Sequence, residues 1–223
     1  LNRFMKYLMT VLLVLSFIKS EAQDQDSKMT TGFFGVEMKD NKKDIVGSPY
    51  IDANFSQYTI TGHKTNDVPT LRYNNYSDQM EYMKDKASYD LDRVNNMIVS
   101  LRNGNKTYVY LDEYFVGNDS KSGYLQVLLS GSKSTLYKKE TVIIQEKLVK
   151  EDVMDVGKKI QEYSTSKPQY FLKLNDKVVV VPQKKGDFND LFTDNESKDF
   201  IKKNKISSTK EQDLIKLVNF LNK

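Results

Sequence analysis

The chain has 223 residues, a formal charge of +4, one histidine and no cysteine. Without cysteine there are no disulfides, thiol nucleophiles or thiolate metal sites, and no lipid anchor attached through cysteine. Without a concentrated basic face, the short clusters Lys42-Lys43, Lys138-Lys139 and Lys202-Lys203 read as solvated surface, not as a nucleic-acid interface.

The first 22 residues read as a cleaved export signal. Arg3 and Lys6 make a basic start, Tyr7 to Ile18 an apolar run, and Ser20-Glu21-Ala22 a small-x-small cleavage site. Twelve residues of helix extend roughly 18 Å, too short for a hydrocarbon core of ~30 Å. Removing this segment takes away three bases and one acid, so the charge falls from +4 to +2. The mature chain, expected to start near Gln23, is then an exported protein of the periplasm or the exterior, with no later apolar run long enough to span a membrane.

Residues 23–47 are polar and read as a flexible arm. From 48 to 146 the texture is that of short strands separated by turn residues. The strands expected are Tyr50–Thr61, Val68–Tyr73, Gln79–Met83, Asn96–Arg102, Thr107–Val116, Tyr124–Ser130 and Thr135–Glu146. Asn103-Gly104 is the strongest hairpin signal, and Gly117 to Gly123 reads as a polar loop. The connections are too short for parallel crossovers, so the sheet is an antiparallel meander. Along Thr107–Val116, Val109, Leu111 and Phe115 face one way and Tyr108, Tyr110, Asp112 and Tyr114 the other, which describes one buried and one wetter face.

Residues 147–167 are charge-dense and interrupted by Gly157, and read as a linker that admits a short helix. From 168 to 223 a hairpin (Tyr170–Leu174, Val178–Val181) precedes helices packing on the sheet. Phe188, Leu191 and Phe192 mark the first helix, and Phe200 and Ile201 the second. The last shows a stripe of Leu214, Leu217, Val218 and Leu221, with Ser208 and Glu211 placed as a capping box. The fold class expected is α+β: an antiparallel meander, as a curved sheet or partly open barrel, followed by short C-terminal helices.

Catalytic patterns are scarce. His63 is alone and sits in a turn, and neither a nucleophile elbow nor a phosphate loop is present. Carboxylate pairs remain: Asp90 with Asp92, Asp112 with Glu113, Asp187 with Asp190. Asp194, in an oxygen-rich stretch lacking calcium-loop spacing, reads as a helix cap. No catalytic residue, metal or cofactor is assigned. The binding residues expected are Tyr108, Tyr110, Tyr114 and Tyr124, an aromatic platform for an envelope protein or a glycan.

Three stretches carry a resemblance: Gly47-Ser48-Pro49-Tyr50-Ile51-Asp52-x-x-Phe55, Val68-Pro69-x-Leu71-Arg72-Tyr73-Asn74, and Asp78-x-Met80-Glu81. With the tail segments Asp199 to Lys205 and Asp213 to Phe220, they resemble an uncharacterised family of exported Gram-negative bacterial proteins, whose plan is a signal peptide, a β-rich middle and a lysine-rich helical tail. The resemblance implies no activity. Within it, Arg72 and Glu81 are spaced to pair across a hairpin and fix its register. The function expected is a non-enzymatic binding or structural accessory protein of the cell envelope. The alternatives are a carrier of an apolar ligand and a cofactor-free hydrolase built on a carboxylate pair.

Overall fold

The structure, a computed structural model, describes residues 45–62, 70–102, 104, 106–150 and 156–223. The export signal, most of the arm, His63 and Asn103 lie outside the described residues.

Among the described residues, alternating apolar residues broken by turn formers produce thirteen strands: β1 (Ile45–Val46), β2 (Ser56–Thr61), β3 (Thr70–Asn74), β4 (Gln79–Lys84), β5 (Ala87–Asp90), β6 (Ile98–Leu101), β7 (Thr107–Val116), β8 (Asp119–Ser130), β9 (Thr135–Lys139), β10 (Val142–Val149), β11 (Lys158–Thr165), β12 (Gln169–Leu174) and β13 (Lys177–Val180). Three helices follow: α1 (Lys185–Asp190), α2 (Asn195–Lys203) and α3 (Glu211–Leu221). The α+β class and curved sheet hold, and the curvature goes to closure. Ten strands form one sheet in the order β13-β12-β9-β8-β7-β6-β2-β3-β4-β5, and β13 also pairs with β7, so β7, β8, β9, β12 and β13 make a closed five-stranded barrel. The closing pair, Val179 against Phe115, is parallel.

Three cores result. The barrel interior is filled by Val109, Leu111, Tyr114, Leu125, Tyr137, Phe171 and Val178. Leu136 and Leu172 join Phe188, Phe192, Ile201, Leu214, Leu217 and Val218, so the helices pack on the β9–β12 face, as their apolar spacing requires. The third core joins Tyr108, Tyr110 and Tyr124 of β7 and β8 to Tyr58, Leu71, Tyr73, Met80, Tyr82, Met97 and Val99 of the outer strands and their connections.

Several local expectations are corrected. Lys147–Val149 and Lys158–Thr165, expected within a linker, are strand: β10 and β11 pair antiparallel, with β1 parallel to β11, as a separate three-stranded sheet. Its charges are a ladder of cross-strand pairs, Lys147–Glu162 at 2.9 Å and Lys159–Glu146 at 3.0 Å. The strand expected over Thr135–Glu146 breaks into β9 and β10, which belong to different sheets. The loop expected over Gly117–Gly123 is largely strand, because β8 starts at Asp119. Tyr50 to Phe55 is irregular, held by an Asx turn in which Asn54 N–H donates to Asp52 Oδ1 (3.1 Å). The cap of α3 also differs: its N-cap is Lys210, Ser208 Oγ donates to Gln183 O, and Asp213 Oδ2 accepts from Ser207 N–H. Asp194 does cap α2, accepting from Ser197 N–H at 2.6 Å. The hairpin across Asn175-Asp176 forms, both residues taking the positive φ of a type I′ turn (47° and 65°). No helix among the described residues is long and apolar enough to cross a membrane.

Candidate functional site

The four tyrosines expected as an exposed platform are interior. Tyr108, Tyr110, Tyr114 and Tyr124 are 7, 6, 5 and 1 % exposed. They do not share a face either. One extra residue on β7 between Leu111 and Tyr114 shifts the register, so alternation inverts and Tyr114 points into the barrel against Phe171 (rings 5.1 Å apart). The other three contact one another or Tyr73 at 5.1–6.1 Å. The face read as wetter is covered because the sheet continues past β6 and lays its outer strands over it. Burial is the main cause that pushes the Tyr108 and Tyr124 phenols far above their ordinary range. These residues are core, not an exposed platform.

The residues that do converge are those of the Tyr50, Arg72 and Glu81 motifs. Alternation on β4 sends Met80 and Tyr82 into the tyrosine core and leaves Glu81 on the opposite face, yet Glu81 is fully buried. Four side chains donate to its carboxylate: Arg72 Nε (2.7 Å), Asn74 Nδ2 (2.7 Å), Tyr50 Oη (2.9 Å) and Ser88 Oγ (3.2 Å). The expected pairing is therefore present, with Arg72 directly opposite Glu81. The guanidinium lies over the rings of Tyr50 (3.9 Å) and Phe55 (4.5 Å), and donates to Tyr50 Oη. Asn75 joins the same assembly, its Oδ1 accepting from Ile51 N–H and its Nδ2 donating to Glu140 O. The 49–55 segment is thus a strap pinned across β3 and β4.

Asp90 stands directly opposite Glu81 on β5. Desolvation first, then the Glu81 charge, raise its pKa to about 6, while Arg93 pulls the other way. Its Oδ1 is buried without a hydrogen-bond partner. The carboxylate that the fold sets opposite Asp90 is therefore Glu81, across two strands, and not Asp92 as chain spacing suggested. Glu81 is sealed from solvent and engaged by four donors, which suits it to holding structure. Asp112, Glu113, Asp187 and Asp190 are exposed. Among the described residues no group of three histidines or carboxylates is placed to hold a metal.

A second ion pair joins the strap region to the barrel. Asp78, at positive φ (58°), accepts from Lys139 Nζ (2.8 Å), Tyr124 N–H (3.2 Å) and Tyr73 Oη. It fits because position 123 is glycine: a Cβ there would fall on the Asp78 carboxylate.

One group of exposed apolar residues lies elsewhere. Val46, Ile143, Leu148 and Val149 are exposed on the three-stranded sheet, Leu148 at 53 %, and nearby Val156 is 91 % exposed. Among the described residues only β11 pairs with β10 in the sheet order, and the other edge of this eight-residue strand carries one bond between elements, Val142 N–H to Asn75 O. Sequence reading missed this surface because lysine and glutamate between the apolar residues gave the texture of a linker.

No known protein family, no curated protein and no solved structure matches the chain.

Proposed function

We propose that this chain is an exported, non-enzymatic binding or structural accessory protein of the bacterial cell envelope, and that it engages a partner polypeptide through the three-stranded sheet. The observation that carries this reading is β10: a long strand at the edge of its sheet among the described residues, with exposed Ile143, Leu148 and Val149. Such an edge is ordinarily blunted or covered, and it takes an added strand by main-chain hydrogen bonds. Export rests on the basic start, apolar run and cleavage pattern of residues 1–22. Membership of the exported family belongs to the same proposal, supported by the convergence of its three motif stretches on Glu81.

The two alternatives draw less support. An apolar-ligand carrier needs an enclosed cavity, and the barrel interior is filled by Leu125, Tyr137 and Phe171. Cavities beside the tyrosine core measure about 20 and 10 Å³, room for about one water each. A carboxylate hydrolase needs an acid and a nucleophile open to substrate, whereas Glu81 is closed off.

The test places a photoreactive residue at Leu148 and, as a control, at exposed Lys121 in cells secreting the protein. A discrete adduct at Leu148 and none at Lys121 is expected. Equal labelling at both positions, or none at Leu148 and Ile143, removes the docking reading. Amino-terminal sequencing of the secreted chain should begin at Gln23.

A further inference from the structure

A cleft of about 540 Å³ opens where the start of β12 and the end of β13 meet the turn ahead of α3. That volume lies within the range of small-ligand sites. Lys167, Gln169 and Tyr170 form one wall, Val181 and Gln183 the second, and Thr209 lies in the covering turn. The cleft is braced: Val181 N–H donates to Tyr170 O (2.8 Å), and Ser208 Oγ donates to Gln183 O (3.2 Å). The Tyr170 ring is held by its hydroxyl, which reaches Glu211 Oε2 (3.4 Å), a carboxylate also paired with Lys138 (3.5 Å).

Three polar groups on this lining are uncommitted. The side-chain amides of Gln169 and Gln183 and the ammonium of Lys167 are exposed, without a hydrogen bond or ion pair to any described residue. Lys167 is the only charged residue among the described residues lining the cleft, and exposed Lys184 and Lys210 follow the lining residues Gln183 and Thr209 in the chain. A half-buried aromatic ring beside two proline rings offers an apolar platform. The two amides, each with donors and an acceptor, suit hydroxyl groups. The unpaired lysine suits a carboxylate.

We propose that this cleft binds a saccharide carrying a carboxylate: a sugar face lies on Tyr170 and Pro168, hydroxyls meet Gln169 and Gln183, and the acid meets Lys167. This site is separate from the β10 edge, so either assignment stands or falls without the other.

The experiment is a titration of the ¹⁵N-labelled mature protein, followed by NMR, with digalacturonate, cellobiose and tetraglutamate as probes. Digalacturonate is expected to shift the amides of Tyr170, Val181 and Gln183 saturably, with cellobiose about tenfold weaker, one charge-assisted hydrogen bond being worth about that factor. Lys167→Ala and Gln183→Ala, both exposed changes, should each weaken digalacturonate about tenfold, and Lys121→Ala should leave it unchanged. No saturable shift, shifts centred away from Tyr170, or cellobiose binding equal to digalacturonate overturns the proposal. Tetraglutamate binding more tightly than digalacturonate assigns the cleft to acidic peptides and overturns it too.

Discussion

Arg72→Ala is the sharpest probe of the strap. Arg72 Nε sits 2.7 Å from Glu81 Oε2, Arg72 being 19 % exposed and Glu81 fully buried. Breaking a buried pair by removing one partner costs about 3–5 kcal/mol, because the remaining charge keeps its desolvation penalty. Water that reaches Arg72 puts the pair at the low end of that range, and loss of the Tyr50 and Phe55 ring contacts adds about 0.5–1 kcal/mol. A loss of about 3–4 kcal/mol is expected, a large share of the ~5–15 kcal/mol that holds a domain together. In urea, with a slope of about 2 kcal/mol/M, the midpoint falls by about 1.5–2 M. Arg72→Lys should recover less than half, since an ammonium keeps the charge and loses the flat stacking surface. In a Glu81→Gln background the cost of Arg72→Ala should shrink, because no buried charge is stranded. A loss below about 1 kcal/mol with unchanged slope, or full additivity with Glu81→Gln, would refute the view that this pair holds the strap.

Asp90 gives a pH-dependent prediction. Its folded pKa of about 6 lies above the ordinary 3.8, so the fold prefers the protonated form. The stability it contributes is complete below about pH 4 and is lost as pH rises through 6. Asp90→Asn should therefore raise the melting temperature at pH 7.5 and leave it nearly unchanged at pH 4. After discounting for partial exposure the gain is about 1 kcal/mol, and an equal gain at both pH values would contradict the assignment. Gly123→Ala forces a methyl onto the Asp78 carboxylate while Lys139 and Tyr73 hold it, so a cost of about 1–3 kcal/mol in chemical unfolding is expected. Asn222→Ala removes the side chain that accepts from Lys133 and Ser134 N–H and donates to Ser134 O; hydrogen exchange at those two amides should quicken, with about 1–2 kcal/mol lost. Leu148→Lys should change stability by less than about 0.5 kcal/mol and abolish the photo-adduct formed at Ile143.

Much of the fold could be read along the chain because the signals were local. Asn175-Asp176 selects a tight turn, Phe188 and Phe192 face one core, and Arg72 meets Glu81 across two short strands. What escaped depended on distant partners. Period-two alternation distinguishes two faces of β7 and is silent on whether a second layer covers the polar one. Nor does it anticipate the extra residue before Tyr114 that inverts the pattern. The Glu81 site was half visible: its pairing with Arg72 follows from hairpin spacing, while its bonds to Tyr50 and Ser88 and its opposition to Asp90 need the folded strap and β5. The β10–β11 arm looked like a linker because its lysines and glutamates are neutralised across strands and not along the chain.

The parallel pairing of Val179 with Phe115 sets an order of events in folding. β7 finds β8 at once through a short turn, but its other partner in the ring is β13, made after the five intervening strands β8 to β12 have emerged. Ring closure is thus a late, non-local step whose loop entropy is met before its contacts form, which slows folding. On the export proposed above, that delay keeps the ring open until β13 itself has arrived on the far side.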